Sequence, residues 1–120
     1  MFGRQKEPTI DRRRSLDGIP VVNRGVTAQD VPPDRVSLVV RSPRGSGLLA
    51  RFQPPVLERN IRLDALGAFV FRQIDGERSV RGIIDLFVER YRANRREAEL
   101  STVSFLRSLA ERRAISIVIK

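Results

Sequence analysis

The feature that most constrains this chain is a capped, amphipathic stripe between Ser79 and Tyr91. Val80, Ile83, Ile84, Phe87, Val88 and Tyr91 recur at i, i+3, i+4, i+7, i+8 and i+11, which lines one face of an α-helix. Ser79 stands where a hydroxyl satisfies the free N–H groups of a first turn. Most of the stability of such a helix comes from burying its apolar face against neighbours, and the flanking sequence supplies them. On one side Asp64 is a plausible N-cap, Leu66, Phe69, Val70 and Ile74 recur at helical spacing, and Asp75-Gly76 ends the helix. On the other side Asn94 with Glu97 forms a start resembling a capping box. Ala98, Val103, Phe105, Leu106, Leu109 and Ala110 then give a third helix a broad apolar face.

The sequence before Asp64 has a different period. Val26, Val31, Val36, Leu38, Val39 and Val40 are β-prone and are interrupted by Val31-Pro32-Pro33-Asp34-Arg35. A strand pair near Gly25–Val31 and Arg35–Arg41, joined by a short turn, fits that pattern. Val56–Leu63 alternates over its second half and reads as a third strand. Ile115–Ile119 reads as a short closing strand that pairs with an earlier one. Strands first, then three helices, then a strand make an α+β domain. Two helices after a tight Asp-Gly turn give it a winged-helix-like core: a short antiparallel β-sheet followed by three helices and a short C-terminal strand. The expected organisation is a loosely attached basic tail over 1–20, with Arg12-Arg13-Arg14 at its middle, and a single domain over 21–120. Ser42–Pro55, rich in Gly, Pro and Ser, is read as a loop. Its Gly45-x-Gly47-x-x-Ala50 run resembles a dinucleotide fingerprint only superficially, because Pro43 and Pro54-Pro55 deny it the flanking strand and helix that motif requires.

Composition bears mainly on function. The chain of 120 residues has no Cys and no His, which removes disulfides, thiol chemistry and the usual ligands of zinc and most transition metals. No acidic cluster with EF-hand spacing supports a calcium site. The commonest general base and the best protein nucleophile are missing too. Amine and phenol chemistry is left to Lys6, Lys120 and Tyr91. The inventory argues against an enzyme and against any cofactor. The net charge of +9 is diffuse, divided as +5 over residues 1–60 and +4 over 61–120. Such a charge suits nucleic acid, an anionic membrane surface or an acidic protein partner. No apolar run approaches the roughly 20 residues that span a bilayer, and Met1–Leu16 lacks a secretory apolar region. A cytoplasmic protein that does not engage a membrane is expected.

The stretch from Leu63 to Ile115 resembles the PqqD family. The residues that carry the resemblance are Leu63-Asp64, Gly67-Ala68-Phe69-Val70, Asp75-Gly76, Ser79-Val80, Ile83, Tyr91, Phe105-Leu106 and Ile115. Three positions depart from the family pattern. Asp64 replaces an Asn of equal capping ability. Gly67 stands where Ala is common, at a helix-propensity cost of about 1 kcal/mol. Arg113 stands where Gly normally ends the last helix, at a cost of roughly 1 kcal/mol if the backbone there is left-handed.

The resemblance implies a recognition element without chemistry of its own. Such proteins bind the leader segment of a ribosomally made precursor peptide and present it to a modifying enzyme, often a radical SAM protein. The implied mechanism is strand addition along Arg59, Asn60, Ile61, Arg62 and Leu63, with the third helix as the opposing wall through Glu99, Val103, Leu106 and Arg107. Arg59, Arg62 and Arg107 would pair with leader carboxylates. Periodic apolar residues mostly face the core, so Leu106 and Leu109 fit the core better than a pocket. A lone arginine is more often solvated than engaged. The alternative is a DNA-binding winged helix whose third helix sets Arg95, Arg96 and Arg107 on phosphates or bases. Glu97, Glu99 and Glu111 on that helix repel phosphate. A third reading is a subunit that dimerises through the Ile115–Ile119 strand.

Overall fold

A computed structural model describes residues 16–43 and 56–119. The basic triplet, the glycine pattern of the loop, Lys6 and Lys120 lie outside the described residues. The elements run β1 (Ile19–Val22), β2 (Val26–Val31), β3 (Arg35–Pro43), β4 (Val56–Leu63), α1 (Ala65–Arg72), α2 (Val80–Tyr91), α3 (Arg95–Glu111) and β5 (Ile115–Val118).

The valine-rich segments pair as expected. β2, β3 and β4 form an antiparallel sheet in that order, with β3 in the centre. Alternation sends Val36, Leu38 and Val40 of β3 into the core, and the register sets Leu38 opposite Ile61 and Val36 opposite Leu63. Both partners are therefore buried on the same face. The helices cover that face. Val80, Ile83, Ile84 and Phe87 are the buried stripe of α2, and Ala98, Thr102, Leu106 and Leu109 that of α3. Burying a Leu38 or an Ile83 completely stabilises the fold by roughly 1.5–3 kcal/mol each.

All three helix starts follow the capping logic. The side chains of Asp64, Ser79 and Asn94 accept from the N–H groups of Gly67, Gly82 and Glu97 at 2.8, 3.1 and 3.1 Å. At the Asp75-Gly76 turn the Asp75 carboxylate accepts from the backbone N–H of Arg78 at 2.7 Å and of Glu77 at 2.9 Å, and Gly76 takes φ +82°. The Arg78 N–H, then that of Glu77, hold the Asp75 carboxyl below its ordinary range. This support is therefore present at neutral pH and is lost as pH falls through that lowered value.

Two features differ from the sequence reading, and the expected pairing of the closing strand finds its partner. Residues ahead of the expected boundary near Pro20 pack with the domain. β1 starts at Ile19, Leu16 is buried, and the N–H of Val80 donates to the Gly18 carbonyl at 2.9 Å. A four-residue strand is too short to display a period. β1 is also the partner of the closing strand, pairing Ile19 with Val118 and Val22 with Ile115. Leu66, read as part of the apolar stripe of α1, is 48% exposed, whereas Ala68 and Phe71 are buried.

Arg113 does adopt the left-handed backbone, at φ 65°. The N–H of Ala114 bonds the Leu109 carbonyl at 2.9 Å and that of Arg113 bonds the Ala110 carbonyl at 3.0 Å. This is a Schellman ending with arginine at the position glycine usually takes. Arg113→Gly is expected to stabilise the protein by about 0.5–1 kcal/mol. Gly25 is the opposite case. It has φ +81°, and a Cβ there would overlap the Arg41 carbonyl oxygen. Gly25→Ala is expected to destabilise by about 1–2 kcal/mol or more. Urea midpoints of the two variants, at unchanged slope, check both signs.

Candidate functional site

One hydrogen bond sets the phase of the whole sheet. The N–H of Arg41 donates to the Gly25 carbonyl at 2.9 Å, one step beyond the Val26–Val40 pair. Arg41 therefore points its main-chain groups at β2. In an unbroken register, successive residues of β3 then alternate between β2 and β4. Val36, Leu38 and Val40 bond to β4, and their partners Leu63, Ile61 and Arg59 turn their own groups inward. The residues between them, Glu58, Asn60 and Arg62, direct N–H and C=O away from the sheet. Among the described residues no strand pairs with that side of β4. All three side chains are exposed. Glu58 is tied to Arg41 at 3.0 Å, an exposed pair that contributes little by itself.

Next to the end of this ladder lies a cleft of about 230 Å³. It is set between the start of α1 and the middle of α3. Leu66, Val70, Phe87 and Phe105 supply apolar walls, Gly67 the floor, Asp64 the end nearest β4, and Ser101 and Thr102 the hydroxyl-bearing side. Gly67 has a packing reason to be glycine, since a Cβ there would come 3.0 Å from the Phe105 ring. The approach of α3 to α1 thus explains the helix-propensity cost noted in the sequence.

The expected site residues fall into two groups. Arg59, Asn60, Ile61, Arg62 and Leu63 lie together on β4. Asn60 and Arg62 carry the outward ladder, Arg59 is exposed with its main chain turned inward, and Ile61 and Leu63 belong to the core. On α3, Val103, Leu106 and Arg107 turn towards β5, where they line a smaller cleft of about 110 Å³ with Val80, Ala110 and Ile117. Leu106 and Leu109 are each 1% exposed and are core residues. Glu99 is half-buried. The face of α3 that meets the start of α1 is instead Ser101, Thr102 and Phe105. The period of α3 does not mark that face, because Thr102 falls within the same buried stripe as Ala98 and Leu106.

A third concavity, of about 600 Å³, lies on the outer face of the sheet and contains Gln29, Val31, Arg35, Ser37 and Arg62. Among the described residues no group of acidic side chains is arranged to hold a metal ion, and no helix is long and apolar enough to cross a membrane. Tyr91, which carries the single phenol, sits in an aromatic cluster with ring centroids 5.4 Å from Phe69 and 4.9 Å from Phe87.

The described residues thus form an α+β domain with an open sheet edge beside an apolar cleft, below three capped helices. The family described as Coenzyme PQQ synthesis protein D (PqqD) matches residues 46–115, more than half of the chain. The chain belongs to the PqqD family. A solved structure titled "TbiB1 in Complex with the TbiA(beta) Leader Peptide" superposes with a TM-score of 0.61 at 20% identity, covering 80% of this chain and 94% of that one. That likeness establishes a shared fold. No curated protein matches the chain.

The ladder phase has a direct readout. In amide hydrogen–deuterium exchange of the free protein, the N–H groups of Arg59, Ile61 and Leu63 are expected to be protected and those of Glu58, Asn60 and Arg62 to exchange at least about tenfold faster. Equal protection along the strand would show that the outer side of β4 is covered.

Proposed function

We propose that this protein is a peptide-binding adaptor. It captures the leader segment of a ribosomally made precursor peptide as an added strand on the outer side of β4, and presents it to a modifying enzyme of the radical SAM type. The carrying observation is the outward row of main-chain donors and acceptors on Glu58, Asn60 and Arg62, unpaired among the described residues. Such a row supplies affinity to any extended segment, and side-chain recesses beside it supply selectivity. The cleft at the end of β4 is one such recess. Family membership supports the reading, and the fold is shared with TbiB1, whose structure was solved with a leader peptide. The lack of His and Cys fits a binding role without catalysis. Exposed Arg59 and Arg62 suit a segment that carries carboxylates.

Titrating the leader of the precursor encoded nearest this gene, with backbone amide shifts followed by NMR, tests the proposal. Shifts are expected along β4 and on the Ser101–Phe105 stretch of α3. Asn60→Pro sharpens the test, because it deletes an outward N–H and leaves the ladder to β3 intact. Proline is tolerated at an edge position of this kind. The variant is expected to keep its unfolding transition and to lose at least about tenfold in affinity, one to two main-chain bonds' worth. Unchanged affinity in a folded Asn60→Pro protein would rule out strand addition at β4.

A further inference from the structure

The ribbon formed by β1 and β5 has edges of its own, separate from the sheet that carries β4. Its phase follows from one bond. The N–H of Asn23 donates to the Ala114 carbonyl at 3.0 Å, one step beyond the Val22–Ile115 pair. In an unbroken register Val21 with Ser116, and Ile19 with Val118, then turn their main-chain groups towards each other. Pro20 and Val22 of β1, and Ile115 and Ile117 of β5, direct theirs away from the ribbon. The two edges are not equivalent. Pro20 has no N–H to offer, which blunts the β1 side. β5 keeps its donors, Ile119 continues the same phase, and among the described residues no strand pairs with that side. Exposure also falls on β5. Val118 and Ile119 are 46% and 52% exposed, whereas Ile19 and Val21 on the neighbouring strand are half-buried.

The sequence of this edge fits a second copy of itself. Ile115-Ser116-Ile117-Val118-Ile119 is close to palindromic about Ile117. A copy laid antiparallel along it, with Ile117 opposite Ile117, sets Ile115 opposite Ile119 and Ser116 opposite Val118. Every isoleucine then meets an isoleucine, on the face that buries Ile115. The outward donors and acceptors of Ile115, Ile117 and Ile119 meet outward groups of the other copy. A slip by one residue loses both matches at once. None of the five side chains is charged, so no like charges stand opposite each other. We infer that this chain forms a two-fold homodimer by antiparallel pairing of β5 with β5 of a second copy. The two ribbons become one four-stranded sheet in the order β1-β5-β5-β1. Assembly stops at two copies, because the contact is isologous and the blunted β1 is then outermost on both sides. β4 takes no part, so the dimer carries two open β4 edges.

Sedimentation equilibrium of the full chain reads the stoichiometry, and a dimer is expected. Cross-linking reads the register. The chain has no Cys, so Ser116→Cys and Val118→Cys each carry a single thiol. The facing positions form a non-hydrogen-bonded pair with Cα atoms about 4.5 Å apart, inside the range of about 4.4–6.8 Å that a disulfide spans. The same position in the two copies lies on a diagonal of about 7–8 Å, beyond that range. When the two variants are mixed and oxidised, the mixed disulfide is expected to exceed either same-residue disulfide at least about fivefold. Val118→Lys, which sets a cation on the edge, is expected to fold and to weaken association at least about tenfold. Leu100→Lys, at a similarly exposed apolar position of α3, is expected to leave association unchanged. A monomeric mass at every concentration up to those used for NMR overturns the inference. So do same-residue disulfides as abundant as the mixed one, and so does a dimer that Val118→Lys leaves intact or that Leu100→Lys disrupts equally. None of these results depends on leader binding at β4.

Discussion

The ladder between β3 and β4 is the constraint on which the rest of this structure depends. It does two jobs with one register. Pairing Leu38 with Ile61 and Val36 with Leu63 puts four large aliphatic side chains on one face, where the helices bury them. The same pairing fixes which main-chain groups of β4 are used up. A slip by one residue would expose Ile61 and Leu63 and would also exchange the inward and outward sets of donors. The core therefore protects the geometry of the open edge, and packing and recognition are not independent properties of β4. The Arg41–Gly25 bond anchors the other side of the central strand. It also explains why a left-handed glycine stands at the start of the β2–β3 hairpin.

The helices place the cleft by an equally local route. Asp64 follows β4 directly and caps α1, so the chain passes from the edge into the helix without a linker. Gly67, three residues on, lets the Phe105 ring of α3 come close. The aromatic contacts among Phe69, Phe87 and Tyr91 join α1 to α2. The recess sits at this junction because Leu66 turns out of the core while Val70 and Phe87 close its inner end.

Much of this was legible in the residues. The strand pair, the third strand and the three capped helices follow from period and cap chemistry, which are local. The left-handed Arg113 was readable as a conditional strain. Other features depend on contacts between distant segments and left no local trace. The four residues of β1 show no alternation, and only their pairing with β5 reveals them. The face of α3 that lines the cleft could not be chosen from a broad apolar set. Val103 and Arg107 fit the pattern as well as Ser101 and Phe105 do, yet they turn to β5. Gly67 read as a helix-propensity cost because the Phe105 ring that needs the space is 38 positions away. The phase of the ladder is likewise invisible in the alternation, which specifies faces and not hydrogen-bond partners.

The third helix also distinguishes the peptide reading from the duplex reading. A helix that enters a major groove leads with its N-terminal turn. Here that turn sets the exposed Glu97 carboxylate beside Arg96, and Arg95 is already paired with Asp85 of α2. Further along, the outward positions Leu100 and Ser104 carry no charge, and Glu111 follows Arg107 by one turn. Phosphate binding gains from each unpaired cation brought to the backbone and loses from each anion. On α3 the outward charges nearly cancel, so the net charge of +9 is not concentrated where a duplex would need it. An extended peptide makes no such demand. In the proposed reading its main affinity comes from neutral main-chain bonds at β4, where Arg59 and Arg62 add attraction for carboxylates. In that reading the basic surplus tunes the choice of guest, and the sheet edge supplies the grip.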